Sequence, residues 1–294
     1  MNYKKTMIAA AAIVTFGAAA FVSCGKEKDV DKRNVEFLGG KSGTSISFGQ
    51  LHNNMLAYVI DNFDETIEFN DVYEIVKHVS DIDMTYIDKY GFDEETGNIL
   101  REMCEITKEC VSTPDFYDSM FAGQYSFKNS VNILYKAKLI EDFDRDLLMD
   151  IYGQIVKAYN KEISNDEAVD NIKSQADLGQ KKTNSMVANA IYDIALSSIR
   201  FWDENGEEPM PVDPETPACY LAPPAVADIG GAIVGAATTA VIQGAKTGHV
   251  SGKDVAIGAV ATAVNSSVGA AIKTGTAVVK AAVKVGKFIH KLIK

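Results

Sequence analysis

The sequence predicts an all-α protein, in which an acidic helical bundle is followed by a proline-rich linker and a Gly/Ala-rich helical hairpin with a basic amphipathic helix. Apolar residues recur at helical spacing from about residue 48 to residue 203. Six of the 7 prolines fall between Pro209 and Pro224. The formal charge is +2 over residues 1–23, −19 over 24–224 and +6 over 225–294, which sums to the net −11. These shifts in composition exclude a uniform globule.

The first element has the layout of an export signal. Lys4 and Lys5 precede an apolar run over residues 7–22, and the run stops at Ser23-Cys24-Gly25. A basic start, an apolar stretch and small residues at the end are typical of secretory signals. The run is shorter than the roughly 20 residues that a membrane-spanning helix needs. We therefore expect residues 1–23 to be a signal peptide.

The cysteine that closes this run resembles the lipobox of Gram-negative bacterial lipoproteins. The resemblance is carried by Phe21-Val22-Ser23-Cys24, although the commonest pattern has Leu where Phe21 stands. It implies that the signal is removed before Cys24 and that Cys24 is acylated, which anchors the protein in the cell envelope. Gly25 rather than Asp follows the cysteine, and within this resemblance that favours the outer membrane. The alternative is a plain signal anchor with an incidental cysteine.

Residues 24–47 and 48–203 are predicted to be a flexible tether and the acidic helical domain. The tether is charged at its start and rich in glycine at its end. In the domain, helical stripes of apolar residues repeat, and Ser164 with Glu167 resembles a capping box at a helix start. The aromatic side chains of this part of the chain suffice to fill a core of about 150 residues. We expect a helical bundle.

No set of residues in the domain has the spacing of a catalytic or metal site, and we expect a non-enzyme without cofactor or metal. His52 is expected to be a cap or a hydrogen-bonded surface group near a helix start. Asp142, Asp144 and Asp146 alternate as in a calcium loop. The Gly and Glu that such a loop needs at positions six and twelve are missing, which favours a solvated acidic helix start. The −19 charge also excludes a general nucleic-acid binder.

Three cysteines beyond Cys24 leave the disulfide pairing open. Cys104 and Cys110 are six residues apart, and on an unbroken helix their Cα atoms would be about 9 Å apart, too far for a bridge. A bridge between them requires a break in the helix. Pairing of Cys110 with Cys219 is the other arrangement.

The acidic proline-rich linker is expected over residues 204–224, and a segment of different composition follows at 225–294. This segment has 16 Ala, 12 Val and 10 Gly but a single Leu and a single aromatic residue. It predicts two apolar helices, 225–245 and 254–272, joined by a glycine-rich turn. Asp228 is expected in the first turn of the first helix. Gly231, Gly235 and Gly258 have the spacing that lets two helices approach closely. With so few large side chains, insertion of this hairpin into a bilayer would be marginal.

A basic amphipathic helix is predicted at the C-terminus. Six lysines share one face at steps of 7, 4, 3, 4 and 3 residues, with Phe288 among the apolar residues opposite. These lysines are Lys273, Lys280, Lys284, Lys287, Lys291 and Lys294. Such a helix is typical of segments that lie in the interface of an anionic membrane. The alternative is that the lysines face water while the apolar face packs on the predicted hairpin or on the acidic domain.

The Gly/Ala-rich segment also resembles helical bacteriocins and other pore-forming peptides, over about a quarter of the chain. The glycines that carry the resemblance are Gly230, Gly231, Gly235, Gly244, Gly248 and Gly252. It implies a toxin-like module that inserts into membranes. The expected function is that of an outer-membrane lipoprotein whose partners are lipids, contacted through acylated Cys24 and the C-terminal helix. The alternative is a structural or adhesive surface lipoprotein whose tail packs on its own domain or associates with a second copy.

Overall fold

The computed structural model of the chain describes residues 38–39, 45–63, 72–111, 126–205 and 223–273. Over these residues the protein is helical, and the predicted all-α fold is confirmed. The described helices are α1 (Phe48–Asn62), α2 (Val72–Tyr90), α3 (Glu94–Val111), α4 (Ser126–Lys136), α5 (Asp142–Tyr159), α6 (Asn165–Lys182), α7 (Met186–Asn205), α8 (Pro223–Thr247) and α9 (Gly252–Lys273).

A short antiparallel pairing precedes the helices, within the stretch that the sequence predicted as tether. Strand β1 (Leu38–Gly39) pairs with β2 (Ser45–Ile46), and Leu38 lies opposite Ile46. Ile46 is partly buried against the core, so an apolar contact holds this pairing to the bundle. The expected tether therefore ends in ordered structure.

Side-chain caps begin several of the helices, among them α1 and α6. The Ser47 hydroxyl accepts a hydrogen bond from the Gln50 backbone N–H at 3.2 Å, and the Gln50 side chain accepts one from Ser47 N at 3.1 Å. Ser164 is the N-cap of α6, as predicted, and its Oγ accepts from Glu167 N at 3.1 Å. These bonds satisfy backbone donors that have no partner inside a helix.

Helices α8 and α9 form an antiparallel hairpin at the centre of the molecule. Helix α9 packs against α1, α2, α3 and α7, while α8 packs against α4 and α7. Helices α5 and α6 complete the bundle on the far side of α4 and α7. We refer to α8, α9 and the turn between them as the hairpin, and to α1, α2, α3, α4 and α7 as the shell.

The sequence assigned the hairpin to a segment separate from the acidic domain, whereas its helices share one core with that domain. Ile229, Ile233, Ile257 and Val260 are all buried within the same apolar cluster as Leu51. The physical reason is that each shell helix is amphipathic and has an apolar stripe to cover, and most of the hairpin surface is apolar. Burying both sets of surfaces against each other removes the most apolar area from water.

The predicted linker is bordered by helices that extend into it. Helix α7 continues to Asn205 and α8 begins at Pro223, so residues 204–205 and 223–224 are helical. Asp228 is the sixth residue of α8 and lies beyond its first turn, contrary to the expectation. Pro at the first helical positions explains the earlier start, because its fixed φ suits a helix and its missing N–H costs nothing there.

Several predicted features lie outside the described residues. These are the signal peptide, Cys24, most of the tether, residues 206–222 of the linker, and the C-terminal lysines from Lys280 onward together with Phe288. Lys273 is the last residue of α9, and its side chain is not described.

Candidate functional site: a Gly/Ala hairpin held inside the bundle

A seam of small and polar residues joins α8 to α9. Each helix contributes one residue every four positions to the seam, and the two sets meet in antiparallel order. The four pairs are Gly231 with Ser266, Gly235 with Thr262, Thr239 with Gly258, and Gln243 with Asp254. A repeat of four residues keeps one face of each helix against the other over the whole hairpin.

The predicted contact glycines Gly231, Gly235 and Gly258 all lie in this seam. A Cβ added at Gly235 would lie 2.5 Å from Thr262 Cβ and 2.7 Å from the backbone oxygen of Gly258. A Cβ at Gly231 would lie 2.5 Å from Ser266 Oγ. Backbone atoms of one helix therefore fill the space that a side chain would need on the other.

At its closed end the hairpin is held by a polar turn. Gln243 Nε2 donates to Asp254 Oδ2 at 2.5 Å, and Gln243 Oε1 accepts from Ser251 N at 3.0 Å. Gly248 adopts a φ of +71°, a left-handed conformation that glycine takes without the strain of a Cβ. The side chain of one residue, Gln243, thus bridges the turn.

Two ion pairs connect this closed end to α3 at the surface. Lys246 pairs with Glu102, and Lys253 Nζ lies 3.6 Å from Glu95 Oε2. All four side chains are at least one third exposed. Exposed pairs of this kind stabilise a fold by about 1 kcal/mol or less, so they position the turn without holding it strongly.

The open end of the hairpin carries a buried carboxylate that faces the shell. Asp228 on α8 is fully buried, and its Oδ2 accepts hydrogen bonds from Ser198 Oγ and, at 3.0 Å, from Trp202 Nε1. Its Oδ1 lies 3.0 Å from His52 Nε2, a contact whose geometry is that of an ion pair rather than an aligned hydrogen bond. Asp228 therefore ties α8 to both α1 and α7.

His52 is placed to carry a positive charge. Its Nδ1 lies 2.9 Å from Asn53 Oδ1, and the Asn53 amide is oriented by its own donation to Ser197 O at 3.0 Å. Both ring nitrogens thus face oxygen atoms, which favours the doubly protonated ring. Burial acts to lower the His52 pKa, but the Asp228 carboxylate and the Asn53 contact outweigh it, and the pKa is raised from 6.5.

A second buried carboxyl faces α9 near the same end. Asp83 on α2 accepts a hydrogen bond from Asn265 Nδ2 at 3.1 Å, and Asn265 Oδ1 accepts one from Ser80 Oγ at 2.8 Å. Asp83, Ser80 and Asn265 are all fully buried. Burial raises the Asp83 pKa well above 3.8, and the single bond from Asn265 offsets only part of this. The site thus favours the neutral acid of Asp83 more than water does.

Two expectations about the acidic domain are wrong. His52 is the fifth residue of α1 and is fully buried, not a cap or a surface group. Asp144 is also buried, where its Oδ2 accepts from Glu141 N at 3.1 Å, although Asp142 and Asp146 are exposed as expected. In both cases a partner on another element or at the helix start replaces water, and helical spacing alone does not reveal that partner.

The structure bears on the cysteine pairing that the sequence left open. Helix α3 runs from Glu94 to Val111 without a break, so Cys104 and Cys110 lie on one continuous helix. Cys104 is buried in the core. The break that a Cys104–Cys110 bridge requires is not found in this helix.

Among the described residues, one helical stretch is long and apolar enough to cross a membrane. It covers Ala225–Thr247, and 83% of its most apolar window is buried inside the protein. A buried core helix of a water-soluble protein meets the same test, so this criterion does not separate the two. The described residues contain no group of three or more His, Cys, Asp or Glu that could hold a metal ion.

Comparisons with known proteins found no match to this chain among protein-family models, curated proteins or solved structures.

Proposed function

We propose that the protein is a lipid-anchored component of the cell envelope that stores a membrane-active hairpin inside a helical shell. In this proposal acylated Cys24 fixes the chain to a membrane, the basic C-terminal segment contacts anionic lipid headgroups, and the hairpin leaves the shell to insert. The observation that carries it is the hairpin itself. Its two helices share a seam of small and polar residues and turn an almost wholly apolar outer surface toward the shell.

The distribution of polar residues supports this function. Thr239 and Gln243 lie between α8 and α9, where Thr239 Oγ1 donates to Gly235 O at 2.8 Å and Gln243 Nε2 donates to Asp254 Oδ2 at 2.5 Å. Both bonds are internal to the hairpin and would persist after it left the shell. In lipid, polar groups must be satisfied within the protein, and close contact at small residues holds helices together there. The hairpin thus has the interior that a two-helix membrane insert needs.

The charged and amide side chains that would oppose insertion lie toward the two ends of the hairpin: Lys246, Lys253 and Asp254 at the closed end, and Asp228 and Asn265 toward the open end. Asp228 is the sixth residue of α8, and Asn265 is next to the seam pair formed by Gly231 and Ser266. Both are near the open end of the hairpin, where an inserted hairpin meets the membrane interface. An ionised group is much less costly there than at the bilayer centre.

The length of the chain before α8 would permit release. Seventeen residues, 206–222, connect the end of α7 to the start of α8, yet Trp202 and Asp228 are in direct contact. A few residues would suffice to join helices that lie so close together. Seventeen residues can span at most roughly 60 Å, which allows the hairpin to move well away from the shell while remaining attached.

A disulfide between the shell and the hairpin is expected to prevent membrane permeabilisation. Ser80 Oγ and Asn265 Oδ1 are 2.8 Å apart, so Ser80→Cys with Asn265→Cys places two thiols at the contact between α2 and α9. The measurement is dye release from vesicles of phosphatidylglycerol and phosphatidylcholine by the full-length protein. The oxidised double variant should release no more dye than protein-free vesicles, while the same variant after reduction should permeabilise them.

The reduced protein is the matched control, because it has the same sequence and lacks only the cross-link. Equal dye release by the oxidised and reduced forms, with the cross-link verified by mass spectrometry, would show that the hairpin does not need to leave the shell. That result would reject hairpin insertion as the mechanism.

Charge reversal in the C-terminal segment is expected to abolish vesicle binding. Each Lys near an anionic surface contributes about 1 kcal/mol of attraction, and replacement by Glu converts that attraction into repulsion. The test variant replaces four C-terminal lysines by Glu: Lys280, Lys284, Lys287 and Lys291. The control variant makes the same change of net charge at four exposed lysines of the bundle: Lys77, Lys136, Lys157 and Lys173. Cosedimentation with anionic vesicles should be lost in the first and retained in the second, and equal loss in both would reject a specific membrane contact.

A second function is favoured by one observation, the burial of the hairpin in the core. A structural or adhesive surface lipoprotein, self-associating or not, would keep α8 and α9 in the shell permanently. This function predicts that neither the oxidised nor the reduced cross-linked variant permeabilises vesicles. The same experiment therefore separates the two functions.

A further inference from the structure

We infer that His52 and Asp83 form a protonation-dependent latch, which holds the hairpin in the shell while both side chains carry their protons and loosens it as the pH rises. The relation of the latch to membranes rests on the proposed function, whereas its effect on hairpin packing does not. The latch is built from two buried polar residues of the hairpin that face the shell, Asp228 and Asn265, and their partners on α1 and α2.

The first half of the latch is the buried contact between His52 and Asp228. His52 faces Asp228 on α8, Asp193 on α7 acts on it at longer range, and Asn53 is its neighbour on α1. With the ring protonated, one cation balances the Asp228 carboxylate. Loss of that proton removes the cation and leaves the Asp228 carboxylate buried among neutral groups, including Ser198 and Trp202. A buried charge without a counterion costs several kcal/mol in general, and this favours departure of α8 toward water.

The second half is the Asp83 carboxyl. It faces Asn265 on α9, and Tyr86 on the same helix is a titratable neighbour whose own pKa is raised by burial. Asp83 Oδ1 has no hydrogen-bond partner in the described part of the chain. As a neutral acid the group suits this buried site, but as an anion it would have one amide donor and, among the residues that the structure describes, no cation. Ionisation of Asp83 therefore weakens the packing of α9 on α2.

Both groups change the stability of hairpin packing in the same direction. The His52 pKa is raised from 6.5, so its contribution is complete below pH 6.5 and is lost as the pH rises through the raised value. The Asp83 pKa is raised well above 3.8, so the protonated carboxyl stabilises the packed hairpin. This stabilisation is lost as the pH rises through the raised pKa. Protection of the hairpin amides from hydrogen exchange should therefore fall toward alkaline pH. Exposed carboxylates in ion pairs would instead make the stability rise with pH, and only below about pH 5.

Hydrogen exchange of the full-length protein without vesicles tests the latch. Amide exchange in α8 and α9, corrected for the intrinsic chemical rate, is compared between about pH 5 and about pH 8.5. Protection in the hairpin should fall over this range, by about tenfold for each pKa unit that the two groups together gain when the hairpin packs in the shell. Helices α5 and α6, which pack on α4, α7 and each other, should change less. A flat profile in the hairpin, or an equal change in α5 and α6, would overturn the latch.

Two pairs of variants assign the effect to these residues. Asp83→Asn keeps a neutral side chain at every pH and should flatten the profile, while Asp88→Asn on the exposed side of α2 should leave it unchanged. His52→Gln should lower hairpin protection at the acidic end, while His249→Gln at the exposed turn should not. If His52→Gln fails to fold, Asp83→Asn alone decides, and an unchanged slope in Asp83→Asn would overturn the proposal.

Dye release measured at the same two pH values separates the latch from the proposed function. Hairpin protection that depends on pH without any dye release would support the latch and reject membrane insertion. Dye release together with hairpin protection that does not change with pH would support insertion and reject the latch.

Discussion

Gly235→Val is expected to lower the free energy of unfolding by about 3 kcal/mol, because it forces the two central helices apart. The added Cβ would lie 2.7 Å from the backbone oxygen of Gly258, an atom that cannot move without shifting α9. Since α9 packs against four shell helices, a shift of this helix disturbs the whole core. Urea unfolding followed by circular dichroism gives the free energy.

Gly153→Ala is the matched control for this substitution. Gly153 is also inside a helix, α5, but a Cβ added there would meet no atom within 4 Å. Ala is preferred over Gly in helices by about 1 kcal/mol, so this variant should be slightly more stable than the unaltered protein. A loss of stability in Gly153→Ala, or none in Gly235→Val, would contradict the close contact described for the seam.

Asp228→Ala is the second change with a large expected effect, a loss of about 3–5 kcal/mol. It removes the acceptor for Ser198 and Trp202 and leaves His52 buried without its carboxylate. The double variant His52→Ala with Asp228→Ala should lose less stability than the sum of the two single variants. Each single variant leaves one buried charge without its partner, whereas the double variant leaves none. The measurement is again the urea unfolding curve of each variant.

Asp88→Ala serves as the control for removal of a carboxylate. Asp88 also pairs with a cation, Arg101 at 2.7 Å, but two thirds of the Asp88 side chain are exposed. Water replaces the lost partner at such a site, and we expect no resolvable change in stability. Strictly additive losses in His52→Ala and Asp228→Ala would show that the two side chains do not act as a pair.

Helical spacing alone predicts part of the seam between α8 and α9. Small residues four positions apart predict that Gly231 and Gly235 lie on one face of a helix, and that another helix approaches there. Spacing within one helix does not give the register with the next. The pairing of Gly231 with Ser266 is set by the turn near Gly248 and by backbone contact across the hairpin.

The partners of the buried polar residues could not be predicted from the sequence. His52 lies among residues that read equally well as a helix start on the surface, and only its contact with Asp228, 176 residues further along the chain, accounts for its burial. The same holds for Asp83, whose partner Asn265 is 182 residues away. Long-range partners of single polar side chains leave no periodic pattern in a sequence, and each depends on how several helices come together.

Three features of this protein could be predicted without coordinates: the helical class, the change of composition beyond the prolines and the glycine positions where helices can approach. These properties follow from local spacing and residue type, which act through helix geometry and side-chain volume. The position of the Gly/Ala hairpin inside the bundle became clear from the packed helices alone, as did the partners of Asp228 and Asn265 on α1, α7 and α2. The physical reason is that burial is a property of the whole assembly. An apolar helix can be covered by lipid or by other helices, and its own residues are the same in both cases.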